Sequence, residues 1–272
     1  MVNKNVMGEK ISNKEYRNRE GISSTELKRI SRSPAHYKHF KENPMEDTPA
    51  LLIGRAAHKY VLETYDFYNE FAVAPVCDRR TKEGKEIWNK FVADSEGKDV
   101  ITQEQLEQID AMRTAAYATP FVSKLLSGEK ELSFWGKDED TGLVTKCRPD
   151  CLTEWNGKHI LIDYKTAQDV ENMKFYRDSI KFGYDLQLSY YLDILKQNTG
   201  KDYMVVIIAQ EKTAPYVTNV FQLSNDYLEN GREVYKEMLK IYKECSETDN
   251  WYGYMRDGIS ILGKPDDEES EE

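Results

Sequence analysis

Residues 148–166, RPDCLTEWNGKHILIDYKT, set two strand-like runs around Asn156-Gly157. Asn-Gly readily takes the two positive-φ positions of a tight hairpin turn. The second run is the more apolar, and Ile160, Leu161 and Ile162 mark it as a buried strand. Its end breaks that pattern, with Asp163 and Lys165 two residues apart. Residues two apart on a strand share a face, so an anion and a cation sit side by side where burial was expected to continue. Asp150 falls at the bend of the first run, from which the hairpin can bring it beside Asp163. Two adjacent carboxylates repel, which implies a shared cation. Oxygen ligands suit Mg2+ or Mn2+ with waters completing the shell. A lysine beside such a site can orient an attacking water or help deprotonate it. Singly, Asp163 and Lys165 also read as a surface ion pair, and Asp150 after Pro149 as a turn residue. The combination at this spacing is the more specific signal.

Further candidates lie outward from this hairpin. Glu131 opens the run ELSFWGKD and can place another carboxylate at the same edge; it is preferred to Glu129 because Phe134 and Trp135 continue the strand. Gly54 and His58 are four apart on one face of a predicted helix, where the glycine lets the helix approach another backbone and the histidine projects nearby. A helical histidine is also commonly a packed or surface residue. Gln187 and Tyr191 are likewise four apart in DLQLSYYLDIL, which reads equally as the polar edge of an amphipathic helix.

The pattern of elements predicts one α/β domain with a helical N-terminal part. Residues 1–22 are polar with little periodicity and are expected to be flexible. Helices are predicted from Ser23 or Ser24, from Ser33-Pro34, over TPALLIGRAAHKYVLETY, and near 81–95 and 102–127, the last broken near Pro120. The character changes at residue 131, where ELSFWGKD, LVTKCRPDCLTEW and KHILIDYKT follow as strand candidates. Helices at 169–182 and 185–199, strands DYMVVIIAQE and YVTNVFQLS, and a helix at 225–245 complete the reading. The domain therefore spans 23–262, with a helical part at 23–127, a core at 128–225 and a C-terminal helical region at 226–262.

Composition narrows the function classes. The 272 residues carry a net charge of −10, which argues against a general nucleic-acid binder. Six of the acids crowd the last eight residues, PDDEESEE, so, with Lys264 counted, half of that net charge sits in an expected disordered tail at 263–272. The four cysteines (Cys77, Cys147, Cys151 and Cys245) form no CxxC pair, so zinc and iron–sulfur sites are not expected and reduced structural thiols are. No window reaches the apolar length of a membrane span and the N-terminus has no signal-peptide core, so a cytoplasmic protein without membrane contact is expected.

Together, Glu131, RPD and DYKT resemble the PD-(D/E)XK nuclease superfamily. The flanking GRAAH and QLSYY resemble the GxxxH and QxxxY patterns of its exonuclease branch. GISSTELKRISRSPAHYKHF and ELSFWGKDEDTGLVTKCRPD are similar to RecE-type phage and prophage exonucleases, and the similarity runs over about residues 20–225. The resemblance implies a restriction-endonuclease-like core, a mixed central β-sheet flanked by helices. It implies that His58, Glu131, Asp150, Asp163 and the backbone carbonyl of Tyr164 surround one or two Mg2+ ions, for which Mn2+ can substitute. Lys165 would activate water, Gln187 would support it, and Tyr191 and Arg148 would face DNA. The implied reaction is 5′ to 3′ hydrolysis of linear duplex DNA, leaving a 3′ strand for an annealing protein of the RecT type, often from a homo-oligomeric ring. Separately, the helix start at Ser24, with Lys28 and Arg32 following, can receive a terminal 5′ phosphate, or can simply be a capped helix with a basic face. Two other readings stand beside this one: an endonuclease on the same fold, and a DNA-binding or assembly protein without catalysis.

Overall fold

The computed structural model describes residues 8–43, 48–255 and 259. Helix caps organise the N-terminal part. α1 (Asn13–Asn18), α2 (Ser24–Arg32), α3 (Pro34–Glu42) and α4 (Pro49–Leu62) begin at Ser12, Ser23, Ser33 and Thr48. Each cap hydroxyl accepts a first-turn backbone N–H that would otherwise lack a partner. A single 3-10 turn leads to α5 (Phe67–Glu70) and β1 (Phe71–Val73). α6 (Lys82–Asp94) then joins β1 to its parallel partner β2 (Asp99–Ile101). α7 (Gln103–Ala118) and α8 (Pro120–Leu125) follow, and the expected break falls at Pro120.

The remaining strands are β3 (Glu129–Lys130), β4 (Phe134–Lys137), β5 (Val144–Cys147), β6 (Cys151–Trp155) and β7 (Lys158–Ala167). α9 (Asn172–Lys181) and α10 (Tyr184–Thr199) carry the chain over to β8 (Tyr203–Glu211), and β9 (Thr218–Gln222) and α11 (Asn225–Thr248) end it. Five strands form the central sheet in the order β3-β6-β7-β8-β9. β7 and β8 run parallel while the other neighbours are antiparallel, so the sheet is mixed. β7 is its middle strand, and alternation sends its side chains to two different cores. Leu161 packs with Leu27, Leu188 and Leu239 on the α2, α10 and α11 side. Ile160, Ile162 and Tyr164 pack with Val61, Val122 and Leu125 on the α4 and α8 side. Ile160, Leu161 and Ile162 are fully buried. Each contributes on the order of 1.5–3 kcal/mol of transfer free energy. The expected helix-flanked mixed sheet is thus the observed fold.

Two local expectations are corrected. LVTKCRPDCLTEW is not one strand: β5 pairs with β4 in a separate hairpin and β6 pairs with β7. Pro149 lies between them, and a residue without an N–H cannot continue a ladder. Glu131 does not begin a strand either. It lies between β3 and β4 with φ +57, a left-handed conformation rare for a residue with a Cβ. The segment expected to be flexible before residue 23 is tied down wherever it is described. Glu9 pairs with Ser133, and the Ile22 N–H donates to the Val144 carbonyl at 2.9 Å. The buried ammonium of Lys146 donates to the carbonyls of Tyr16, Arg17 and Arg19 at 3.1, 3.4 and 2.6 Å. The acidic stretch 263–272 lies outside the described residues. All four cysteines are free thiols. Among the described residues no helix is long and apolar enough to cross a membrane.

Candidate active site

The C-terminal half of β7 delivers the Asp163–Lys165 pair. Asp163, 1% exposed, and Lys165 stand on one face, with Lys165 Nζ 2.6 Å from Asp163 Oδ2. This contact is electrostatic: Oδ2 is buried and accepts no aligned hydrogen bond. The other oxygen, Oδ1, accepts from Gln187 Nε2 of α10 at 2.9 Å, and Gln187 Oε1 accepts from Lys28 Nζ of α2 at 2.7 Å. On the adjacent edge Asp150 follows the Pro149 break and turns back onto β7, where its Oδ2 accepts the Tyr164 N–H at 2.7 Å. The N–H and C=O of one strand residue point to the same side, so the Tyr164 carbonyl faces this edge too.

His58 completes the cluster from α4. Its Nε2 lies 3.0 Å from Asp150 Oδ2 and its Nδ1 3.8 Å from Glu131 Oε1. The bend at Glu131 is fixed by its own N–H, which donates to the Asp150 carbonyl at 3.2 Å, and by Arg148, whose Nε lies 2.9 Å from Glu131 Oε2. One donor atom each from His58, Glu131 and Asp150 fall within 4.8 Å of one another. His58 and Glu131, with Asp150 behind them against His58, join Lys28, Arg148, Lys165 and Gln187 in bordering a cavity of about 570 Å³. Gly54 lines it as well, though not for close backbone packing: an added Cβ would meet only Thr166 Oγ1, at 3.7 Å.

The electrostatics show what the cluster lacks. Burial raises the Glu131 carboxyl to about 7 against the pull of His58. Burial also raises Asp163, although Lys165 opposes it. Asp150 goes the other way: burial is outweighed by His58, Lys165 and the Tyr164 N–H, and its pKa is lowered. Burial opposes the charge on His58, but Asp150 and Glu131 prevail and lift it to about 9. The carboxylates therefore draw positive charge in the form of a proton on His58. A divalent ion would displace that proton. The donor set fits one: carboxylate oxygens, an imidazole, and the buried Asp163 Oδ2 without an aligned donor.

Three predicted positions stand apart from the cavity. Ser24 is buried as the first residue of α2, and its hydroxyl donates to the Tyr191 hydroxyl at 3.5 Å. Tyr191 is partly buried and packs against the core on the α10 side of the sheet. The cap of α2 is Ser23, which exchanges hydrogen bonds with Glu26, so two of the N–H groups at the helix start are taken up by its own box. Arg32 is exposed at the far end of α2. The sequence reading missed Tyr184, whose ring lies 5.1 Å from Lys165 Nζ and 5.2 Å from Lys28 Nζ. Its one local cue was Gly183, whose φ of +61 turns the chain into α10.

A mixed sheet whose central strand ends in Asp-Tyr-Lys, beside a Pro-Asp at the neighbouring strand, defines the PD-(D/E)XK nuclease fold. Residues 23–256 match the family described as a PDDEXK-like domain of unknown function, and the chain belongs to that family. Among solved structures it is similar to a protein from Eubacterium rectale described as a "Putative exonuclease". The two share 18% identity and a TM-score of 0.64 over 95% of this chain and 96% of the other, a likeness of fold. The protein SSO0001 aligns at 12% identity over 82% of this chain and 77% of its own, with a TM-score of 0.37, too low to add an argument. No curated protein matches the sequence.

Proposed function

We propose that this chain is a metal-dependent exodeoxyribonuclease that hydrolyses linear duplex DNA from 5′ ends and leaves 3′ strands for an annealing protein of the RecT type. The observation that carries the catalytic part is the convergence of His58, Glu131 and Asp150 at one edge of a cavity that Lys165, paired with the buried Asp163, also enters. The exonucleolytic part is supported by the sequence resemblance, as are the ring of copies and a cytoplasmic site of action.

In the proposed reaction a water oxygen forms a bond to phosphorus, the P–O3′ bond breaks, and the leaving oxygen takes up a proton. His58, Glu131, Asp150, Asp163 and the Tyr164 carbonyl would hold Mg2+, or Mn2+ in its place. The bound ion would screen phosphate charge and acidify water. Lys165 is held charged by Asp163 and Asp150 against the cost of burial, so it orients the water through its N–H groups rather than acting as a free base. Gln187 fixes Asp163 and also meets Lys28, a cation placed to face a phosphate. Lys28, Arg55, Arg148, Lys165 and Lys212 line the cavity, so basic groups gather there in a chain of net charge −10.

The test is incubation with Mg2+ and either linear or closed circular duplex, with Lys165→Ala as control. Progressive loss of the 5′-ended strands, intact circles and an inactive variant are expected. Cut circles would replace this reading with an endonuclease, and no cleavage of either substrate with Mg2+ or Mn2+ would overturn catalysis.

A further inference from the structure

Helix α9 is apolar on two faces. Its inner face seats Phe175 against Phe221, stacked at 4.8 Å, and Ser179 against the Tyr227 hydroxyl. Its outer face should be polar by the usual amphipathic rule. Instead Met173, Tyr176 and Ile180 lie there at helical spacing, 57%, 52% and 41% exposed, and Phe182 follows at 50%. Three exposed cations, Lys174, Arg177 and Lys181, run along the same helix against a single acid, Asp178. Lys174 pairs with Asp169, while Arg177 and Lys181 make no ion pair among the described residues.

This surface is continuous with the cavity. Phe182 and Tyr184 both line the cavity and stack on each other at 6.0 Å and 29°. From there the stripe runs back along α9 through Ile180, Arg177 and Tyr176 to Met173, about 13 Å at 1.5 Å per residue. We infer that α9 is a track for unpaired DNA leaving the mouth of the active site. The inference rests on the nuclease reading above. Exposed rings offer stacking platforms to bases, and cations outside any ion pair offer contacts to phosphates. Charge complementarity and continuity with the cavity favour a polyanion with planar faces over a purely apolar partner.

The test uses fluorescently labelled oligodeoxythymidine, with binding followed by anisotropy in EDTA so that hydrolysis does not intervene. Tyr176→Ala is expected to weaken binding about tenfold, as loss of one stacked base does. Tyr176→Phe keeps the ring and should bind as the parent. Arg177→Gln should lower the slope of log affinity against log salt by about one. On linear duplex, Tyr176→Ala should raise KM with kcat unchanged. Unchanged affinity in Tyr176→Ala and Arg177→Gln, with parental melting temperatures, overturns the inference while leaving the nuclease reading intact. A parent that fails to cleave overturns the nuclease reading itself. If Tyr176→Ala keeps its DNA affinity but sediments as a smaller species, the stripe is an interface between copies and the inference falls.

Discussion

Lys165 enters the cavity from the end of β7, and Lys28 enters it from the middle of α2. Each is partly buried, and each reaches the Gln187–Asp163 pair. Their surroundings nonetheless drive them in opposite directions. Burial opposes the charge on Lys165, but Asp163 at 2.6 Å and then Asp150 outweigh it and hold the pKa above the ordinary lysine value. Lys28 donates to the amide oxygen of Gln187 at 2.7 Å and lies over the Tyr184 ring; burial, reinforced by the charge of Lys165, outweighs Asp163 and Asp185 and lowers it to about 7. The β7 side is complete in itself, whereas the α2 side lacks, among the described residues, an anion in ion-pair contact with Lys28. An arriving phosphate would supply it and restore the charge on Lys28.

Removing the complete side should have the largest effect. Lys165→Ala is expected to reduce kcat on linear duplex by about 10³-fold, within the range for loss of a preorganised charged hydrogen-bond donor at the reacting centre. A loss under tenfold would mean that Lys28 can take its place, and the contrast between the two would be gone. Next is Arg148, which aims Glu131 through its side chain and its backbone carbonyl. Arg148→Gln should weaken Mn2+ binding about 10- to 100-fold by calorimetry, the usual cost of losing a group that orients a metal ligand. Unchanged Mn2+ affinity would return Arg148 to the DNA-facing role expected from the sequence.

Lys28 sharpens the comparison through pH. A lysine with a lowered pKa is charged below that value and neutral above it. In free enzyme its attraction for phosphate is therefore present below about pH 7 and fades as pH rises through it. The KM for DNA should rise across that window in the parent, by up to about tenfold. Lys28→Gln should show a high KM throughout, whereas Lys28→Arg, which stays charged, should keep a low one. A parental KM flat from pH 6 to 9 would show that Lys28 does not meet the substrate.

The same contrast explains what the sequence disclosed. The β7 side is written locally: Asp163, Tyr164 and Lys165 are consecutive, Asp150 is one hairpin away, and alternation alone places them. Glu131 was found for a mistaken reason, since it reaches the cluster through a left-handed bend rather than along a strand. The α2 side depends on tertiary packing over long separations in the chain, as in the Lys28–Gln187 contact. The same holds for the segment before residue 23, which has little periodicity yet is anchored by Lys146 and Arg148 from β5 and the bend after it. β1 and β2 escaped notice because a three-residue strand carries no measurable alternation.

The smallest effect is expected within α2 itself, where three residues were assigned to DNA and one meets the cavity. Ser24→Ala removes a hydroxyl buried against Tyr191, and Arg32→Ala removes an exposed charge outside the cavity lining. Neither should change the ratio of cleavage rates on 5′-phosphate and 5′-hydroxyl ends by more than about twofold. The reason is geometric: Ser23 and Glu26 occupy two of the N–H groups at the helix start and the Ser24 side chain is buried against Tyr191, so the helix start has less to offer a phosphate. Any preference for a phosphorylated end should instead follow Lys28 and disappear in Lys28→Gln. A preference that vanished in Ser24→Ala while surviving in Lys28→Gln would place the terminal phosphate at the helix start after all, and would reverse the roles assigned to the start and the middle of α2.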